Sequence, residues 1–220
     1  MKRLIQWVMA FGLGCLFCSA HAGAYEDFFK AIEFDNVQEV QRLLARGMDP
    51  NTPNEKGAPA LTVATRLGAN QSAMLLAKHP QTQVNVMNSV EETPLMLAAL
   101  NNQLDVAKVL IERGAEVNRK GWAPLHYAAT RGHIAMMRLL LENNAYIDAE
   151  SPNGTTPLMM AAYYGTPASV KLLLEEGADP TPRNQSHVNA LDLALKAARE
   201  QSAFYIRAFT EAWEIKESGE

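Results

Sequence analysis

The chain has 220 residues, a formal net charge of −4 and 48% hydrophobic residues. This apolar content is enough for a folded core and argues against an intrinsically disordered chain. The mildly acidic balance, with a pI near 5.8, argues against a nucleic-acid-binding protein, which normally carries a basic surface. Both cysteines, Cys15 and Cys18, lie near the N-terminus, so we expect neither a disulfide scaffold nor a zinc module.

Residues 1–22 have the pattern of a cleavable signal peptide. Two basic residues precede an almost entirely apolar run over 4–18, and Ala20 and Ala22 give the small-x-small pattern that signal peptidase recognises. We expect cleavage after Ala22, with the bond after Ala24 as the second choice. The apolar run is shorter than the roughly 20 residues that span a bilayer, which favours removal over an uncleaved membrane anchor.

Cleavage changes what the composition implies. It leaves 220 − 22 = 198 residues and removes two basic residues but no acid, so the mature charge is 18 − 24 = −6. The mature chain has no cysteine, and in an oxidising compartment it depends on packing alone. A short leader with few charges is typical of bacteria. We therefore expect a periplasmic protein, or a secreted one if the host is not Gram-negative.

A seven-residue motif recurs along the mature chain. Its clearest copies begin at Thr93, Ala123 and Thr156 and read TPLMLAA, APLHYAA and TPLMMAA. Weaker copies begin at Pro59 and Asn189. The central leucines lie at positions 61, 95, 125, 158 and 191, with spacings of 34, 30, 33 and 33. Such a fixed period indicates a repeat architecture.

A second motif follows the first at the same period. It reads LLARGMDPN at 43–51, VLIERGAEVN at 109–118, LLLENNAYID at 139–148 and LLLEEGADP at 172–180. Together the two motifs resemble the ankyrin repeat, whose unit of about 33 residues carries a T-P-L-H-x-A signature, a turn and two helices. The resemblance covers roughly residues 25 to 215. It implies an all-α ankyrin-repeat solenoid of stacked helix-turn-helix units with short projecting loops.

The expected domain covers residues 23–217. Thr93 and Thr156 are good N-caps, each followed by a proline at the first helical position. Gly132 and Gly165 are both expected to end the first helix of their units and to allow a tight turn. The six units lie near 25–54, 55–88, 89–118, 119–151, 152–184 and 185–217, the last being a C-terminal cap.

Several units depart from the family pattern. No unit keeps both the threonine and the histidine of the signature, and the missing cap at Ala123 should cost about 1 kcal/mol. Asn189 with Asp192 offers a substitute capping pair. The unit between Leu95 and Leu125 is three residues short, which predicts a clipped projecting loop between Asn118 and Gly121.

The end of the chain allows two interpretations. Ala198 stands where a turn glycine is expected, so residues 191–215 form either one long helix or two barely separated ones. Four apolar residues recur there at helical spacing and are expected to seal the last unit. They are Phe204, Ile206, Phe209 and Trp213.

The sequence gives no sign of catalysis. His126 and His133 occupy slots where this family carries histidine, which favours a structural role over metal binding. The metalloprotease, thiol-redox, serine-hydrolase and P-loop patterns are absent, and no nucleophile is paired with a base. We therefore expect a protein that is not an enzyme, without catalytic residues, cofactor or metal.

The resemblance also implies a binding face. In this family the concave face is formed by the projecting loops and the first helices, and its usual contact slots lie just before the Thr-Pro and just after the Ala-Ala. Tryptophan, tyrosine and arginine dominate interface energetics. Alternatively, Trp122 fills the space left by the clipped loop and one tyrosine packs on the other. The predicted partner-binding residues are Trp122, Arg131, Tyr163, Tyr164, Arg66 and Asn101.

Two functional hypotheses follow. The first is an exported, non-enzymatic protein that binds an envelope protein through its concave face, as a scaffold or as an assistant to an envelope or stress-defence enzyme. The alternative is an inhibitor, such as an immunity protein that blocks a periplasmic toxin. Both predict a protein partner, no nucleic acid, no membrane insertion after signal cleavage, and a monomer.

Overall fold

The computed structural model describes residues 23–218, with side chains up to residue 212. The predicted signal peptide at 1–22 lies outside the described residues, as does the side chain of Trp213. Within the described part the chain is all-α, as predicted, and its single β-type contact is an isolated bridge between Pro53 and Pro59.

Twelve helices lie in the described residues, and each predicted unit contains two of them. The first helix, α1, covers residues 23–33. The others are α2 (Val37–Ala45), α3 (Ala60–Leu67), α4 (Asn70–Lys78), α5 (Pro94–Leu100), α6 (Leu104–Glu112), α7 (Pro124–Arg131), α8 (Ile134–Glu142), α9 (Pro157–Tyr163), α10 (Pro167–Glu175), α11 (Ala190–Lys196) and α12 (Glu200–Ser218).

The helices stack in two rows. The first helices pack side by side in the order α3, α5, α7, α9 and α11, and the second helices pack from α2 to α12 in the same way. The repeated leucine is fully buried at Leu95, Leu125 and Leu158, and the alanine pairs beside it are equally buried. Small alanine side chains allow neighbouring first helices to approach closely, so the core runs along the stack.

The capping residues largely act as predicted. Thr93 accepts a hydrogen bond from the Met96 amide at 3.2 Å, and Asn189 and Asp192 form a reciprocal capping box. Ala123 has no capping side chain, but its own amide donates to Nδ1 of His126 at 3.1 Å. Half of a capping box therefore survives in the unit that lost its threonine.

A row of side chains connects successive projecting loops. Asn85 donates to the Gly114 carbonyl at 3.0 Å and accepts from the Glu116 amide. Asn118 makes the same pair of contacts one unit later. Asp148 occupies the next position, where it accepts from the Asp179 amide at 3.1 Å. A carboxylate has no hydrogen to donate, so this link is incomplete.

The two glycines that the sequence treats alike behave differently. Gly132 ends α7 in the left-handed conformation, with φ of 66°, as predicted. Gly165 follows Tyr164, the C-cap of α9, so the helix ends there as predicted, but the turn forms without the left-handed conformation. Glycine is needed at this position because a Cβ atom would lie 2.5 Å from the Ala129 carbonyl oxygen.

The C-terminal unit contains two separate helices. Ala198 adopts φ of 53°, the conformation of a turn glycine, and breaks the chain between α11 and α12. Ile206 is fully buried and Phe209 is partly buried against the core. Phe204 is 66% exposed, so the expectation that it seals the last unit is wrong.

Candidate protein-binding surface

The predicted contact residues all lie along the row of first helices. Trp122 directly precedes Ala123, the N-cap of α7, and Arg131 is the last residue of that helix. Tyr163 ends α9 and Tyr164 is its C-cap. The remaining two, Arg66 and Asn101, lie at the ends of α3 and α5. The face formed by the first helices and the loops before them is called the concave face below.

Trp122 is half packed and half free. Its indole meets the imidazole of His126 edge-to-face, with ring centroids 5.2 Å apart, and 36% of the residue stays exposed. The segment 113–123 that leads to it is three residues shorter than 143–156, as the sequence predicts. Trp122 therefore combines a fixed ring with exposed apolar surface, which suits an interface anchor.

Tyr163 and Tyr164 form an aromatic pair on the next unit. Their rings meet at 4.6 Å and 74°, a favoured edge-to-face geometry. Tyr164 is 55% exposed. Arg131 is exposed at the end of the neighbouring first helix and is in none of the ion pairs of the described residues. Trp122, at the N-terminal end of α7, and Arg131, Tyr163 and Tyr164, at the C-terminal ends of α7 and α9, are together called the aromatic patch.

The side chain of Arg66 is engaged in contacts within the protein. Its guanidinium pairs with the Glu92 carboxylate, which also accepts from Asn88 at 2.8 Å. The Tyr127 hydroxyl approaches the other carboxylate oxygen at 3.5 Å. Burial, together with the negative charge of Glu92, raises the pKa of Tyr127 to about 12. The network links three successive units across the concave face.

Asn101 closes the end of a neighbouring helix. Its amide donates to the carbonyls of Thr65 and Arg66, at 2.8 and 3.0 Å. These carbonyls are at the C-terminal end of α3, where the Thr65 carbonyl also accepts from the Gly68 amide at 3.3 Å. The amide of Asn101 thus performs a structural task, although the residue itself stays exposed.

A cleft that the sequence did not predict lies at the N-terminal end of the same face. It has a volume of about 1040 Å³ and is bounded by α1, α3 and the loops before α3 and α5. Three of its lining residues, Phe34, Leu67 and Val90, are more than half exposed although apolar. Contiguous apolar surface of this kind marks interaction sites. The loop residues that complete it follow no repeat signature, so no sequence pattern predicts it.

The two histidines of the repeat slots have structural contacts. His126 is fully buried, with Nε2 at 3.0 Å from the Thr155 carbonyl, and His133 places Nε2 at 3.0 Å from the Leu100 carbonyl. Within residues 23–218, no group of three or more potential ligand residues could hold a metal ion. In the same residues, no helix is both long and apolar enough to cross a membrane.

Comparison with known proteins agrees with this architecture. The family model described as ankyrin repeats (3 copies) matches residues 28–121 and 116–184. The rat ankyrin repeat and SAM domain-containing protein 6 is 32% identical over 146 residues, which are 66% of this chain. The aligned region is only 13% of that relative, so the likeness concerns the repeats and not the whole of the larger protein.

Two solved structures are similar over most of the chain. The human ASB11 ankyrin repeat domain superposes with a TM-score of 0.76 at 28% identity, covering 83% of this chain and 82% of that one. A chain from the complex of a Bdellovibrio bacteriovorus predatory endopeptidase with an immunity protein gives 0.71 at 27% identity, covering 83% and 97%. With more than half of its residues matched by the family model, this chain belongs to the ankyrin repeat family.

Proposed function

We propose that the protein is exported and binds an envelope protein through its concave face, as a scaffold or as an assistant to an envelope or stress-defence enzyme. Ankyrin repeats form a protein–protein interaction module and are generally non-enzymatic. The observation that carries the proposal is the aromatic patch. It combines a partly exposed tryptophan and tyrosine with an arginine that forms no ion pair within the described residues.

A pull-down from an envelope extract tests the proposal. Trp122→Ala, Tyr163→Ala and Tyr164→Ala are combined in one variant, and the captured proteins are identified by mass spectrometry. The matched control is Tyr146→Ala, because Tyr146 is 68% exposed but lies outside the patch. We expect the triple variant to lose the partner and the control to retain it. Unchanged capture by a folded triple variant would refute the role of the patch.

The same preparation tests export. Residues 1–22 support a cleavable signal and a periplasmic location, so protein recovered from the envelope fraction should begin at Gly23 or Tyr25. Recovery of an intact leader in the cytoplasm would contradict export while leaving the binding surface untouched. Elution as a single chain would agree with the expected monomer.

A second candidate function is inhibition of a periplasmic toxin. It is favoured by the similarity to a chain from the endopeptidase–immunity protein complex, 97% of which is covered here. Adding the purified protein to the captured partner separates the two functions. An inhibitor should abolish the activity of an enzyme that it binds, whereas a scaffold or assistant should preserve or raise it.

A further inference from the structure

We propose that protonation of His126 changes the setting of Trp122 and thereby makes binding at the aromatic patch depend on pH. The inference rests on the proposed function of that patch and adds its regulation. It starts from the position of a fully buried imidazole between the indole of Trp122 and the next unit.

The hydrogen bonds of His126 define its protonation state. The Ala123 amide donates to Nδ1 at 3.1 Å, so Nδ1 carries no proton. Nε2 lies 3.0 Å from the Thr155 carbonyl and donates to it. Both ring nitrogens are therefore satisfied only in the neutral ring protonated at Nε2. Burial lowers the pKa of this imidazole below its ordinary value, and the Thr155 carbonyl offsets part of the effect.

A second proton has one place to go, which is Nδ1. There it would face the Ala123 N–H, so that two donors oppose each other around a buried charge. Ala123 is only 2% exposed and its amide has no solvent to turn to. Since Ala123 is the N-cap of α7 and Trp122 precedes it directly, relief of this conflict displaces the chain segment that carries the indole.

The other titratable groups on and around α7 are not hydrogen-bonded to the His126 imidazole. Of the helices packed against α7, α5 carries no titratable side chain, α8 carries Arg138 and Glu142, and α9 carries Tyr163. On α7 itself the other titratable residues are Tyr127 and Arg131. The loop beside the ring adds Asp148 and Glu150. The side chains of these seven residues form no hydrogen bond to His126.

Tryptophan fluorescence of the free protein tests the mechanism without a partner. The full chain has 3 tryptophans, and Trp7→Phe with Trp213→Phe leaves Trp122 as the single reporter. As the pH is lowered from about 8 to about 5, we expect a reversible change in emission below the ordinary histidine range while the helical circular dichroism is retained. His126→Gln should abolish this change, and the matched control His133→Gln should retain it.

Two outcomes would overturn the proposal. One is emission that stays constant while the chain remains folded, and the other is a transition that persists in His126→Gln. If His126→Gln fails to fold, NMR of the His126 ring in the unaltered chain replaces it, and the ring must titrate together with the emission. Loss of partner capture at acidic pH completes the test, whereas absence of any partner at neutral pH would count against the proposed function alone.

Discussion

The fourth and fifth units are joined in a different way from the fifth and sixth. Between α7 and α9 the backbones approach closely, because Gly165 has no side chain. A Cβ atom at this position would lie 2.5 Å from the Ala129 carbonyl oxygen. Between α9 and α11 a long side chain fills the joint. Arg199 donates to the carbonyls of Tyr163, Tyr164 and Gly165, at 2.8, 3.1 and 2.5 Å.

The two joints differ in the residue that lies at the end of the first helix. The last carbonyls of a first helix lack partners within the helix, and a cation near them is favourable because of the helix dipole. Arg199 supplies hydrogen bonds to the carbonyls after α9, and the neutral amide of Asn101 supplies them after α3. At the fourth joint, Thr166 holds the slot that Arg199 holds one unit later. There the Ala129 carbonyl accepts from the Gly132 amide at 3.1 Å, and Gly165 packs closely against it.

The largest effect is expected when the close joint is forced apart. In Gly165→Ala the new Cβ would lie 2.5 Å from the Ala129 oxygen and 2.8 Å from the Ala161 oxygen, and neither backbone atom can move alone. The free energy of unfolding in urea should fall by about 2–3 kcal/mol, as in other overpacked interiors. The matched control is Gly47→Ala, where φ is +95° but the space is open, and the loss from backbone strain should be only about 1 kcal/mol. Equal losses in the two variants would show that contact with α7 does not matter.

Sequence reasoning reaches the period, the helix pairs and most caps because each depends on residues close in the chain. The N-caps at Thr93 and Thr156 are local features of this kind. The role of Gly165 depends on a carbonyl 36 positions earlier, and that of Asn101 on carbonyls 35 and 36 positions earlier. The concave cleft likewise combines residues from three units. Such features follow from how units stack, which the signature of one unit does not specify.

A smaller effect of opposite sign, a gain in stability, is expected at Asp148, in the loop that joins the fourth and fifth units. Asp148→Asn restores the missing donor, which should reach the Gly177 carbonyl as Asn85 reaches that of Gly114. The free energy of unfolding should rise by about 1 kcal/mol at neutral pH, the usual contribution of one hydrogen bond. The converse change one unit earlier, Asn118→Asp, should lower it by a similar amount. A gain in both variants would refute the equivalence of the two positions.

The pH dependence of this gain has a definite sign. Burial, together with the nearby Asp179 charge, raises the pKa of Asp148 above its ordinary value. The folded state therefore holds the proton more tightly than the unfolded state, and the ionised side chain destabilises the fold increasingly as pH rises through the raised pKa. The difference in unfolding free energy between Asp148→Asn and the unaltered chain should thus be larger at about pH 7 than at about pH 4.

The smallest effect is expected at the turn of the sixth unit. Ala198 pays the steric cost of a left-handed residue, with φ of 53°, at a position that is glycine in the fourth and fifth units. Ala198→Gly should raise the free energy of unfolding by about 0.5 kcal/mol, because removal of the Cβ clash outweighs the added freedom of the unfolded chain. The control is Ala197→Gly, whose φ of −88° suits alanine, and this variant should lose stability. A loss in both variants would mean that Ala198 is held without strain. The position of α12 would then be fixed by Arg199 and not by the turn, so the joint that Arg199 fills would need no glycine.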